Sequence, residues 1–302
     1  MLLNMRVLAA VDFNHASDLV VDQAKAALRQ EGEQSALSLC HVVPFLHETT
    51  TLFPEEHQGA MLQLLGVENE LKQVVRHRMA AMLGADGGEL FIEQGNPYAE
   101  CIRRADSWHA DLVVVGTHSK SGLEHALLGS TAERIVRHAH CSVLVARRAP
   151  KSNVVLAATD LSDPSLPAIR AAAAAARHRG AHLVVLSVVD WSGAAWMAAA
   201  GAPFGIAPTI ASTELQRESH RLLLGTLTSA LKRIGAIGEP RVIEGSPASS
   251  IVECANELNA ELVVVGTHGR TGLARLALGS VAEAVIRTAT CPVLAVRMAK
   301  PE

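Results

Sequence analysis

No stretch of the chain concentrates lysine or arginine, and the 27 basic residues are nearly balanced by 30 acidic ones for a net charge of −3. A nucleic-acid partner would demand a basic patch or stripe, so that class of function is excluded. Long apolar runs are missing too: Leu183 to Leu186 is typical, far short of a bilayer span. The opening MLLNMRVLAAVD lacks the cationic start and small-residue cleavage site of a secretory leader, so a cytoplasmic protein is expected. Cysteine is sparse. The five thiols, Cys40, Cys101, Cys141, Cys254 and Cys291, are scattered and odd in number, with no CxxC among them. That argues against a disulfide framework and against a zinc site, and predicts reduced core residues. Fourteen histidines are present, yet His138 and His140 are only two apart and no carboxylate or cysteine completes a ligand set around them. No metal site is expected.

What the chain does have is one unit written twice. Gly95-Asn96-Pro97 returns as Gly245-Ser246-Pro247, Gly116 as Gly266, Gly129-Ser130 as Gly279-Ser280, and CSVLVAR as CPVLAVR, each displaced by 150 residues, as 116 and 266 are. VLAAVDFNHAS matches VLAATDLSDPS at a displacement of 148, as 12 and 160 are. The period is too long for a solenoid, so the reading is two homologous domains, 1–149 and 150–302, meeting near RRAPKSN. In the first copy, Val7 to Val11, Leu37 to Val43, Leu90 to Ile92, Leu112 to Val115 and Val143 to Val145 are predicted strands. The segments between them carry helical spacing, as in Leu64, Leu71, Val74, Val75 and Met82. Strands this uniformly apolar suit a parallel sheet covered on both faces, a small doubly wound α/β domain. Gly180, closing RAAAAAARHRG, is predicted to end a helix in the left-handed conformation.

Open parallel sheets bind ligands beyond the carboxyl ends of their strands, where the strand order reverses. Asp12 and Asp160 end the first strands, and Gly116 and Gly266 end the fourth. If the first and fourth strands are neighbours, both features face one crevice. In the second copy Gly266, two residues, Gly269, nine residues and Gly279-Ser280-Val281 lead into a helix. Glycines let backbone N–H groups converge on an anion, and a helix start adds unpaired N–H groups and a positive dipole end. Phosphate is the natural guest. The competing explanation is structural, because Ser130 to Glu133 and Ser280 to Glu283 both fit the S-x-x-E capping box, which needs no ligand. A P-loop is excluded by the absence of Gly-Lys-Ser/Thr, and a dinucleotide fingerprint by the lack of glycine after the first strand.

With its aspartate after strand one, Gly-x-Pro before the third helix, a Gly-x2-Gly-x9-Gly-Ser loop after strand four, complete in the second half and with serine for the second glycine in the first, and a CPVLAV-type last strand, each half resembles a universal stress protein domain. The resemblance implies two tandem doubly wound α/β domains, each with a five-stranded mainly parallel sheet of order 3-2-1-4-5 flanked by helices. It also implies a stress-response regulatory protein that binds an adenine nucleotide, ATP with or without Mg2+, and passes its occupancy to an unidentified protein partner. Carried over residue by residue, Asp160 would face the ribose or adenine and the Val188 backbone would contact adenine. Gly266 would lie by the ribose, while Gly269, Gly279, Ser280 and Val281 would cradle phosphate. In the first half Asp12, Val42, Gly116, Gly129, Ser130 and Thr131 match, but Ser119 stands where the second loop has Gly269 and weakens that site. Family domains dimerise through their last strands, so SVLVA and PVLAV are expected to mimic that pairing within the chain, with a homodimer as a further possibility.

Alternatives remain open: slow ATP hydrolysis or other nucleotide chemistry, and an interaction scaffold with vestigial sites. No nucleophile–base pair is evident, and His118 and His268, inside the loops, have no visible partner to orient them. Residues 191–210, holding Trp191, Trp196, Met197 and Phe204 in a chain only 3% aromatic, suggest a lid, a partner patch or a loop folded on its own domain.

Overall fold

The computed structural model describes residues 5–28, 35–43, 58–84, 87–117, 128–190, 213–267 and 278–297. Contacts divide the chain into two compact units, Met1–Ala146 and Arg147–Glu302. Among the described residues no helix is long and apolar enough to cross a membrane.

The first unit runs β1 (Arg6–Ala10), α1 (Ser17–Leu28), β2 (Ala36–Val43), α2 (Gln58–Leu83), β3 (Leu90–Gln94), α3 (Pro97–Ser107), β4 (Leu112–Gly116), α4 (Ser130–His138) and β5 (Ser142–Ala146). The second runs β6 (Val154–Ala158), a 3-10 turn at Asp163–Ser165, α5 (Leu166–Arg179), β7 (His182–Val189), α6 (Thr213–Arg233), β8 (Glu239–Glu244), α7 (Pro247–Glu257), β9 (Leu262–Gly266), α8 (Ser280–Thr288) and β10 (Val293–Val296). Every strand pair within each unit is parallel. The order is β3-β2-β1-β4-β5 in the first and β8-β7-β6-β9-β10 in the second. Both are the 3-2-1-4-5 arrangement.

All five predicted strands of the first unit form, each within one or two residues of the expected bounds. Apart from the edge strand β3, which is only half-buried throughout, their centres are buried, Leu8 and Val114 fully, as expected when helices cover both faces of a sheet. The register repeats closely. β1 meets β4 with Val7 opposite Leu112, and β6 meets β9 with Val155 opposite Leu262. Beyond the strands the Val11 amide donates to Cys40 and the Thr159 amide to Leu186, each at 2.9 Å. Gly180 closes α5 at φ 62° with its amide on helix carbonyls, as its position predicts.

The Gly-x-Pro motif explains itself structurally. Gly95 and Gly245 have φ of 137° and 150°, a region closed to residues with a Cβ. Asn96 and Ser246 then serve as N-caps, and the following prolines occupy a first turn where no amide is needed. One periodicity departs from expectation. Val75, Met79 and Leu83 form the buried stripe of α2, whereas Val74 is 65% exposed and Leu71 lies outside the core. Over residues 69–83, where side chains are described, the helix contributes only a narrow edge to the core, so neighbouring apolar positions do not all point inward; Leu64 lies outside the described side chains.

Candidate nucleotide crevice

Because β1 neighbours β4 and β6 neighbours β9, each sheet has its reversal point where the sequence places aspartate and glycine. After β1 the chain turns at once. Asp12 accepts from the Asn14 amide at 3.1 Å and the Ser17 hydroxyl at 3.2 Å on one oxygen, and from the Asn14 side-chain amide at 2.7 Å on the other. Asp160 does the same with one residue, accepting from the Ser162 amide at 3.0 Å and its hydroxyl at 2.6 Å. These are Asx turns. In both, the intervening residue is held left-handed, Phe13 at φ 60° and Leu161 at φ 62°. Side chains of that kind avoid this region at a cost of roughly 1–3 kcal/mol. The same strain at the same place in both halves marks the position of the carboxylate as something the chain maintains.

On the opposite lip, Gly116 and Gly266 end β4 and β9. The steric role of Gly116 can be separated from that of Gly279. A Cβ on Gly116 would stand 3.1 Å from Val20 Cγ2 and 3.2 Å from Ala16 Cβ, so this glycine admits α1 against the strand. Gly279 has φ −63° and ψ 143°, which any residue adopts, and a Cβ there would meet only the Thr267 carbonyl at 3.5 Å. Among the described residues nothing requires a glycine at 279.

The helix starts correct the capping-box expectation. Gly129 and Gly279, not the serines, are the N-caps of α4 and α8, and neither has a side-chain cap. Glu133 and Glu283 reach forward to Arg137 and Arg287, each at 3.5 Å, in i,i+4 pairs. A glycine N-cap supplies a carbonyl to the first helical bond, Glu133 amide to Gly129 and Glu283 amide to Gly279 at 2.9 Å, but no oxygen for the N–H groups of the first turn. Among the described residues no N-cap side chain meets those donors. The Gly279 amide in turn donates to the Thr267 carbonyl at 2.9 Å, pinning the helix start beside the end of β9.

In the first unit these elements enclose a cleft of about 260 Å³, lined by Asp12, Val42, Gly116 and Thr131 among the expected residues. Gly129 and Ser130 stand at the adjoining helix start, the first buried and the second exposed. In the second unit Asp160, Val188 and Gly266 lie at or just beyond the carboxyl ends of β6, β7 and β9, with Gly279, Ser280 and Val281 opening α8. Val281 is an exposed apolar side chain at the position of Thr131. Gly269, Ser119, His118, His268 and residues 191–210 lie outside the described residues.

Several neighbours of the first cleft escaped the motif reading. Cys40 and Cys101 line it. Phe13 stacks on His41 with ring centroids 4.5 Å apart, and the Arg78 guanidinium from α2 sits 4.7 Å above the Phe13 ring. His41 Nδ1–H donates to the Val11 carbonyl at 2.7 Å, which holds the ring beside the Asp12 turn. The second unit has Leu161 and Ser187 at the places of Phe13 and His41, by the shared register. The signal was present in β2, where His41 is the one titratable imidazole in a strand that is apolar apart from Ser38 and His41. Among the described residues no three His, Cys, Asp or Glu side chains gather to hold a metal.

The model of the universal stress protein family matches residues 4–147 and, a second time, 152–297. The chain belongs to the universal stress protein family. A universal stress protein from Methanocaldococcus jannaschii is 40% identical over 151 residues, covering 48% of this chain and 81% of the relative. One from Mycobacterium tuberculosis is 32% identical over 195 residues, 62% of each chain. In the crystal structure of a universal stress protein from Archaeoglobus fulgidus the likeness extends over 97% of this chain and 98% of that one, with a TM-score of 0.63 at 17% identity, a likeness of fold. The tandem arrangement is thus two universal stress protein units in one chain.

Proposed function

We propose that this universal stress protein binds an adenine nucleotide, ATP, in the crevices at the strand ends, and acts as a regulatory protein whose occupancy a partner reads. The observation that carries the proposal is Gly279. It is a glycine for which the described residues have no packing use, and it caps a helix start that has no side-chain cap. Phosphate oxygens fit such a start, drawn by both the donors and the dipole. Asp160 and Asp12, already fixed by their Asx turns, offer carboxylate oxygen to the ribose hydroxyls. Val188 and Val42 offer strand-end backbone to the base. In this reading Gly266, Gly269, Ser280 and Val281 complete the second site, and Gly116, Gly129, Ser130 and Thr131 the first. Mg2+, where it accompanies the nucleotide, would be held chiefly by the phosphates.

The test is the adenine nucleotide content of purified protein per chain, followed by an ATP titration of nucleotide-free material. Gly279→Leu should weaken the second site by about 10- to 100-fold, the worth of hydrogen bonds to a charged group. It should leave the melting temperature nearly unchanged. Absence of ATP binding by the wild type in both measurements would sink the proposal in favour of an interaction scaffold. Sustained phosphate release would move the reading from sensor to slow ATPase.

A further inference from the structure

Cys40 on β2 and Cys101 on α3 bring their sulfurs to 3.9 Å, across 61 residues of chain. Both are free thiols, and both form part of the wall of the first unit's cleft. The fold does not demand sulfur at either place. By register Cys40 pairs with Ala10 where Leu186 pairs with Ala158, and the fifth residue of the proline-led helix is Cys101 in one half and Ile251 in the other. All four side chains are buried. A pair of aliphatic residues therefore packs this junction in the second unit, while the first unit places two nucleophiles in contact beside a cavity.

We infer that Cys40 and Cys101 are a modification site, a dithiol that closes to an intramolecular disulfide when a small hydroperoxide enters the cleft, and that closure competes with a ligand in the same cleft. Cys101 keeps 4% of its surface exposed and Cys40 none, so Cys101 meets the oxidant first. Its thiolate attacks one peroxide oxygen; the S–O bond forms, the O–O bond breaks, and the leaving oxygen departs protonated as alcohol or water. The resulting sulfenic acid is attacked by the Cys40 sulfur. An S–S bond forms, and the hydroxyl leaves as water with the Cys40 proton. Two thiols have lost two electrons and two protons, and the hydroperoxide has been reduced. Hydrogen bonding to Cys101 and burial push the Cys40 thiol well above its usual range, which disfavours Cys40 as the first sulfur to attack the peroxide. A disulfide requires the sulfurs at about 2.05 Å, so closure must draw the side chains of β2 and α3 together within the cleft wall. Val42 and Pro97, on the same two elements, line the same cleft.

The competition with a ligand rests on the nucleotide reading given above; the disulfide does not. The reduced full-length protein would be treated with hydrogen peroxide under native conditions, quenched by alkylation and peptide-mapped by mass spectrometry, with and without saturating ATP. The expected result is a Cys40–Cys101 cross-linked pair, lost in Cys101→Ser and formed several-fold more slowly with ATP. The double variant Cys40→Leu, Cys101→Ile, carrying the second unit's residues, should melt as a folded protein and give no cross-link. Recovery of both cysteines alkylated, at a dose that fully oxidises the denatured chain, would overturn the site. An unchanged rate in ATP, when titration shows ATP bound, would overturn the competition. If titration shows no ATP bound, the nucleotide reading fails and the cross-link alone decides the dithiol.

Discussion

At the ends of β1 and β6 the two units carry Asp-Phe-Asn and Asp-Leu-Ser, and both hold the central residue in the left-handed region with the aspartate in an Asx turn. The side chains around this shared backbone have diverged. The first unit stacks Phe13, His41 and Arg78 beside its Asp12 turn and puts a pair of thiols in its cleft wall, where the second has Leu161 and Ser187 at the places of Phe13 and His41, and Leu186 and Ile251 at those of the thiols. The same separation holds between β3 and α3. In the first unit Arg104 of the helix lies 4.3 Å over the Phe91 ring of the strand. In the second the arginine is on the strand, Arg241, and Cys254 of the helix is its neighbour. Duplicated backbones thus keep the features that set geometry, and vary those that set chemistry.

The comparison can be broken at Gly116, where the largest effect is expected. Gly116→Ala forces a methyl against Val20 and Ala16, and should cost about 1–3 kcal/mol in urea unfolding. Gly266→Ala, with the smaller Ala168 at the place of Val20, should cost less; equal costs would mean that the two glycines share a role the packing does not describe. A smaller effect is expected at the second residue of α4 and α8. Exchanging Thr131→Val and Val281→Thr should shift ATP affinity several-fold in opposite directions, about the worth of one hydroxyl hydrogen bond. Calorimetric titration of each variant would read it. The smallest effect belongs to Glu239, whose carboxyl is held below its usual range first by Arg241 and then by His182. Its contribution is present above the unfolded glutamate pKa of about 4.3 and is lost as pH falls through the lower folded value. Being half-exposed and screened, it is worth at most about 0.5 kcal/mol, so Glu239→Gln and the wild type should differ slightly at pH 7 and converge as pH falls below the folded value.

Much of this was legible in the sequence, for identifiable reasons. Strands such as Leu112–Gly116 announce themselves because both faces are covered and every residue is apolar, and the 150-residue displacement between Gly116 and Gly266 exposes the duplication. The helix starts misled because Gly-Ser-x-x-Glu contains Ser-x-x-Glu. Whether glycine or serine is the N-cap turns on one ψ angle, and the extended backbone of Gly129 and Gly279 moves the cap one residue earlier. Gly116 and Gly279 looked alike as loop glycines, and only the neighbours Val20 and Ala16 reveal that one is there for packing. Contacts such as Cys40 with Cys101 depend on how a helix seats on a sheet, which no local pattern records.

The all-parallel pairing has a consequence for how the molecule is made. Arg6, at the start of β1, finds its partner Asp111, at the entry to β4, 105 residues later in the chain. At a synthesis rate of roughly 5–20 residues per second, the first strand emerges about 5 to 20 s before its inner neighbour exists. During that interval the edge of β1 destined for β4 is open, and the aspartate behind it has no opposite lip. The crevice of the first half is therefore assembled late in that half's synthesis, and a chain halted before β4 presents an unpaired apolar strand to its surroundings.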